Sequence, residues 1–337
     1  MVCLHFSSSA SHFHGGHRMI KQTLIGLSAP MSLKTARPYP RLFVRQRHLL
    51  ALLEALGGHA KNTDFQKLLF LYCMEWKGEK IYDFVPYNYG PFSFTSCADR
   101  RKLNFAGLTS EDENGWRMTE EGREVVAESK HEMDYAKTFV GRHIARGERL
   151  IEITYKASPY YATRSKIATD LLTNDCHVLS LIEESKPPAT IQGLATIGYE
   201  GKTLEQYLNI LILDGVTVLC DVRLNPISRK YGFSKKTLSI ACNELGIRYE
   251  HVPELGIDSA KRKLLVSRAD YVSLFDEYDR LQLPRRTEEL HRIADWISQG
   301  ERVALTCYEH SACDCHRWRV ANALLESNGK RFEAVHL

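Results

Sequence analysis

Cys307, Cys313, Cys315, His310, His316 and Arg317 crowd into one short stretch, RVALTCYEHSACDCHRWR, running from Arg302 to Arg319. The apolar run Val303-Ala304-Leu305-Thr306 predicts a buried strand, and the spacing of Val320, Leu324 and Leu325 predicts a helix from Trp318 to Ser327. Cys307 then stands where a strand ends, in the crevice where open α/β sheets bind ligands. A helix N-terminus, Arg317 and a charged His316 would lower a thiol from its usual ~8.5 toward a nucleophile's range. Two other chemistries compete. Cys307, Cys313, Cys315 and His316 are four possible zinc ligands, although C-x5-C-x-C-H lacks the paired C-x2-C knuckles of most structural sites. Cysteine also serves as a small buried apolar residue, but Glu309, His310, Asp314 and Arg317 in the same loop argue against plain packing.

The elements that would position this loop belong to a βαβ pattern beginning near Leu194. Strands are predicted at 195–197 and 216–222, separated by a helix at Thr203 to Leu213. A helix from Lys235, a strand at Ile247 to His251, helices at Tyr271–Leu281 and Thr287–Ser298, and a last strand at Phe332–His336 complete the pattern. The predicted fold is an α/β domain, a mostly parallel sheet with helices on its faces. Its strand ends would gather Gly198, Tyr199, Glu200, Asp221, Arg223, Tyr249, His251, Cys307 and Glu309, with Ser228 and Arg229 on the loop after the second strand. In a catalytic reading Cys307 is the nucleophile, with Cys315 and His316 beside it. His251 or Glu309 moves the proton, and Arg223, Arg229 and Arg317 hold an anionic substrate. Taken singly, Asp221 and Arg223 also read as a structural ion pair, His251 before Pro253 as a turn-fixing residue, and Ser228-Arg229 as solvated loop.

Residues 41–178 follow a different, mainly helical grammar. RQRHLLALLEALGG reads as an amphipathic helix ended by Gly57-Gly58, and NTDFQKLLFLYCMEW as a second helix capped by Asn62 or Thr63. An aromatic, extended segment IYDFVPYNYGPFS follows. Next come a helix at Arg101–Leu108, a short strand at Trp116–Thr119 and a helix at Glu120–Ser129, an order that suggests a winged helix-turn-helix with a helical extension. Glu183 to Pro188 has linker character, so 179–193 is expected to join the halves. Residues 1–40, rich in Ser and His, are expected to be a disordered or untranslated tail and not a signal peptide.

A chain of 337 residues, 44% apolar and 26% charged, has room for two ordinary domains, and no apolar run is long enough for a membrane span. Nine cysteines scattered through apparent core segments indicate a reduced, cytoplasmic setting without structural disulfides. The formal charge of +4 resides in residues 1–40, which carry four basic and no acidic groups. Residues 41–178 carry 20 basic against 19 acidic groups, and 191–337 carry 20 against 20. DNA or RNA binding would therefore need a local patch.

TIGYEGKTLEQYL, DVRLNPISRKYGFSKKTL, GIRYEHVPELG, and CYE followed by CHR resemble the bacterial family called domain of unknown function 488, over nearly all of 194–337. The resemblance implies that Gly198, Asp221, Arg223, Pro226, Ser228, Phe233, His251, Cys307, Glu309, Cys315, His316 and Arg317 are its motif positions. Cys313 lies outside them. KLLFL, YDFVPYNYGPFS and MTEEG resemble winged-helix domains related to the Panacea antitoxin family, over roughly 45–130, which implies a nucleic-acid or protein partner and a phage-defence setting. A physical likeness to rhodaneses and cysteine phosphatases ends at the loop, since Cys307 to Arg317 contains no glycine to bring backbone amides close to an oxyanion. The expected function is that of a cysteine-dependent transferase or hydrolase acting on an anionic small molecule, a nucleotide or a nucleic-acid-linked group. The alternative is a non-enzymatic regulator or defence component whose C-terminal half senses an anion or binds zinc.

Overall fold

Leu49, Leu50, Leu52 and Leu53 of the first amphipathic run are fully buried. In the computed structural model, which describes residues 41–112, 115–188, 191–262, 265–327 and 333–337, that run forms α1 (Val44–Ala55). Gly57 and Gly58, at φ 83° and 79°, then turn the chain as left-handed residues. β1 (His59–Lys61) runs directly into α2 (Asn62–Glu75). Lys61 is the N-cap and no side chain caps this helix, so Asn62 and Thr63 do not play that part. Asn62 Oδ1 accepts instead from Arg100 at 2.8 Å.

β2 (Val85–Tyr87) and β3 (Gly90–Phe92) pair as a tight hairpin, and α3 (Phe94–Phe105) follows, earlier than the predicted Arg101 start. Ser93 caps α3 at its N-terminus, a signal that the aromatic text around it obscured. β4 (Thr109–Asp112) and β5 (Gly115–Met118) form a second hairpin that β1 joins, giving a three-stranded sheet in the order β1-β5-β4. α4 (Glu120–Ala127), α5 (Lys130–Arg142), α6 (Gly147–Ala157), α7 (Ala168–Leu171) and α8 (Cys176–Glu184) complete the helical half. α8 runs into the stretch expected to be linker.

The C-terminal half is a parallel sheet in the order β10-β6-β9-β7-β8, built from β6 (Gly193–Gly198), β7 (Val218–Asp221), β8 (Arg248–His251), β9 (Arg302–Cys307) and β10 (Ala334–His336). Phe332, expected in the last strand, lies outside the described residues. The helices are α9 (Leu204–Leu213), α10 (Lys235–Glu244), α11 (Ser259–Arg262), α12 (Arg268–Glu277), α13 (Thr287–Ser298) and α14 (His316–Ser327). α9 and α10 cover one face, packing on Ala195, Ile197, Leu219 and Ala304. α12, α13 and α14 cover the other, on Val218, Cys220, Val303 and Leu305. This alternation is why the strands read as unbroken apolar text, each buried leucine or valine contributing about 2 kcal/mol.

Residues 41–337 fold as one unit. Val85 of the hairpin packs in the same cluster as α9 and α10. Asn209 donates to the Phe84 carbonyl (2.7 Å), Tyr160 to Asn209 Oδ1 (2.8 Å) and Tyr231 to the Phe94 carbonyl (3.1 Å). Most tellingly, Glu205 of α9, 0% exposed, accepts from Ser93 Oγ (3.2 Å), Thr95 N (2.7 Å) and Thr95 Oγ1 (2.9 Å) at the N-terminus of α3. A carboxylate there meets the positive end of the helix dipole. No described helix is long and apolar enough to cross a membrane.

Candidate functional site

The carboxyl ends of β6, β9, β7 and β8 lie side by side, with Gly198 opposite Cys307, Asp221 opposite Thr306 and Asp221 opposite His251. The pairing continues past the strands, where Glu200 N donates to the Tyr308 carbonyl at 2.9 Å. Gly198 is required by this approach. A Cβ there would stand 1.7 Å from the Glu309 carbonyl oxygen.

Cys307, Cys315 and His316 converge behind this edge, 2%, 0% and 1% exposed. His316 Nδ1 lies 3.7 Å from Cys307 Sγ and 3.8 Å from Cys315 Sγ. The other ring nitrogen, Nε2, is 2.9 Å from the Val222 carbonyl, which can only accept, so Nε2 carries a proton and, in the neutral ring, Nδ1 presents its lone pair to both sulfurs. Fixing a histidine tautomer through a backbone carbonyl is how metal sites orient an imidazole. Donors ~2.0–2.3 Å from one tetrahedral zinc ion stand ~3.5–3.8 Å apart, which is the spacing seen. All three donor atoms lie within 4.8 Å of one another.

The loop arrangement departs from the nucleophile picture. Burial, followed by the neighbouring Cys307, pushes the Cys315 thiol well above its ordinary range and outweighs the lowering by Arg317. Arg317 is buried and holds the loop, donating to the Glu309 carbonyl (2.6 Å) and the His310 carbonyl (3.0 Å). Cys313 is exposed and stands outside the cluster. Glu309 is half-buried, and its charge acts on Cys315.

Asp221 and Arg223 form a second, separate assembly. Arg223 Nε and Nη2 fork onto the two Asp221 oxygens (2.8 and 2.5 Å), and Nη1 donates to Tyr199 Oη (3.1 Å) and the Phe233 carbonyl (2.9 Å). Tyr249 donates to Asp221 Oδ2 at 2.5 Å. Four of the five guanidinium N–H groups are therefore spent inside the protein. Tyr199 stacks on Phe233 at 4.4 Å under the guanidinium. His251 donates from Nε2 to the Arg223 carbonyl (2.8 Å), and its Nδ1 accepts from Lys235 (3.0 Å). It sits two strands from Cys307, roughly 10 Å across the sheet, and so serves the loop and not the thiol. Glu200 accepts from His310 N at 2.9 Å. Ser228 closes a turn with Lys230 N and Ser234, and Arg229 is exposed.

Two lysines at the rim escaped the sequence reading. Lys202 donates to the Gly198 carbonyl (3.0 Å) and Lys230 to the Tyr199 carbonyl (3.2 Å), and burial holds both amines below their ordinary value. In text such as EGK and SRK a lysine looks like a solvated loop residue, and only the strand ends that fold over them change that.

The family described as domain of unknown function DUF488 matches residues 203–324, from the start of α9 into α14, a span that holds all three converging donors. No curated protein and no solved structure matches the chain.

Proposed function

We propose that the C-terminal half is a zinc-binding α/β domain, the ion held by Cys307 Sγ, Cys315 Sγ and His316 Nδ1. The observation that carries this is His316 Nδ1 set 3.7 and 3.8 Å from two buried sulfurs on a ring whose other nitrogen is tied to Val222. Two soft thiolates and an imidazole suit Zn(II). A water would complete four ligands. The ion would tie the end of β9 to the first turn of α14 and so stabilise the irregular loop between them. Cysteine-dependent catalysis has less support: the thiols are sealed, and Arg223 has four of its five donors engaged within the fold.

We further propose that the N-terminal half is a winged helix that contacts nucleic acid. The order α1-β1-α2-α3-β4-β5 and the sheet order β1-β5-β4 support it, with β2–β3 inserted between α2 and α3. Recognition helices usually present their N-terminal residues to the bases, but Glu205 occupies that end of α3. The C-terminal half of α3, with Arg101, Lys102 and a 97% exposed Phe105, is the contact surface.

Metal analysis of the purified chain tests the first reading. About one zinc per chain is expected, retained in Cys313→Ser and lost in Cys315→Ser. Full occupancy in Cys315→Ser would overturn it. For the second, anisotropy with labelled duplexes should show binding that Arg101→Ala/Lys102→Ala weakens, with a shallow salt slope reflecting ~2 phosphate contacts. Unchanged binding in that variant would sink it.

A further inference from the structure

α2, the β2–β3 hairpin, α3 and β5 enclose a cavity of about 270 Å3, remote from the cysteine cluster and independent of the zinc reading. Its walls are mostly rings: Tyr87, Tyr89, Phe92 and Trp116, with Arg100 lying over Trp116 at 5.0 Å. The polar part of the wall includes Lys67, which is 3% exposed. An ammonium has three N–H donors, and Lys67 makes one hydrogen bond, 3.0 Å to the Pro91 carbonyl.

A buried ammonium with unused donors is costly unless something anionic meets it, and burial pushes the Lys67 amine down to about 7. Asp64, one helical turn back on α2, acts on Lys67 electrostatically, but its Oδ1 is engaged with Gly147 N at 2.9 Å. Among the described residues lining the cavity none is acidic, while both Lys67 and Arg100 are basic. Two other polar wall groups, Gln66 and Arg100, are engaged within the protein. Gln66 bonds Ser93 N, Ser96 Oγ and Cys97 Sγ, and Arg100 bonds Asn62 and the Gly115 carbonyl. The cavity thus offers aromatic surface and, at Lys67, unused donors that suit a negative charge. Its volume, at the low end for ligand pockets, suits one ring.

We propose that this cavity binds a small single-ring aromatic acid, its ring among Tyr89, Phe92 and Trp116 and its carboxylate on Lys67 Nζ. Because the walls include α2, α3 and the hairpin between them, the ligand would brace the helix assigned above to nucleic-acid contact.

Calorimetric titration of the full chain with benzoate and with benzamide, the same ring without the charge, tests this. Saturable benzoate binding is expected, with benzamide weaker by ~10-fold or more. Lys67→Met, similar in length and apolar, should lose that preference and bind the two alike. Tyr89→Ala, at a half-exposed position, should weaken both while leaving the fold intact. Equal affinity of the wild-type chain for the two probes overturns the proposal without needing any variant. Absence of benzoate binding at millimolar concentration, or an undiminished benzoate preference in Lys67→Met, overturns it as well.

Discussion

Glu205→Ala should loosen the two halves from each other, at a magnitude that follows from its contacts. The carboxylate accepts three hydrogen bonds from the N-terminus of α3, 110 residues away in the chain. Bonds to a charged acceptor contribute ~1.5–3 kcal/mol each. Against this stands the burial of the carboxylate, which holds its pKa above the ordinary range and so outweighs those bonds in setting the shift. Truncation also strands Ser93 Oγ, Thr95 N and Thr95 Oγ1 without their acceptor. The balance is a loss of ~2–4 kcal/mol, or a Tm lower by ~3–6 °C for a fold of this size. Urea unfolding followed by circular dichroism and tryptophan fluorescence reads it. The wild-type chain should unfold in one transition and Glu205→Ala in two, with Glu205→Gln falling between because it keeps the shape and one acceptor. A Glu205→Ala midpoint indistinguishable from wild type would refute the idea that this carboxylate joins the halves.

Other outcomes follow from the same contacts. Asp221→Asn leaves the buried Arg223 without its counter-ion and should cost ~3–5 kcal/mol; Asp221→Asn with Arg223→Met should recover part of that, and additive losses in the double variant would contradict the pairing. Gly198→Ala should destabilise strongly or prevent folding, since the new methyl would meet the backbone of Glu309; a normally folded Gly198→Ala chain would show that the loop is not held where described. Burial pushes His48 down to about 4, whereas in the unfolded chain it titrates near ~6.5. The unfolded state therefore takes up the proton first, and stability should fall by ~2–3 kcal/mol as pH drops from ~6.5 to ~4. His48→Gln should flatten that part of the profile, and an unchanged slope in this variant would assign it to other groups.

The parallel sheet was legible because strands covered on both faces read as apolar runs, and Cys307 lay at the end of one. Placing Cys315 and His316 beside it also followed, since a short loop into a helix leaves little freedom. What could not be read was direction. Whether His316 Nδ1 or Nε2 faced the sulfurs depended on the Val222 carbonyl, 94 residues away. Arg223 looked available for an anion because sequence does not reveal which donors are already taken. Cys313 was a plausible ligand by spacing alone, yet the turn before α14 points it to solvent. The cap of α3 divides similarly: Ser93 is local, whereas Glu205 comes from the other half and left no trace near α3.

X-ray absorption at the zinc edge, on protein purified without added metal, tests the central claim most directly. The account predicts a first shell of two sulfurs at ~2.3 Å with nitrogen or oxygen at ~2.0–2.1 Å and the multiple scattering of one imidazole. A shell of three or four sulfurs, a shell with none, or protein that holds no zinc at all would contradict it.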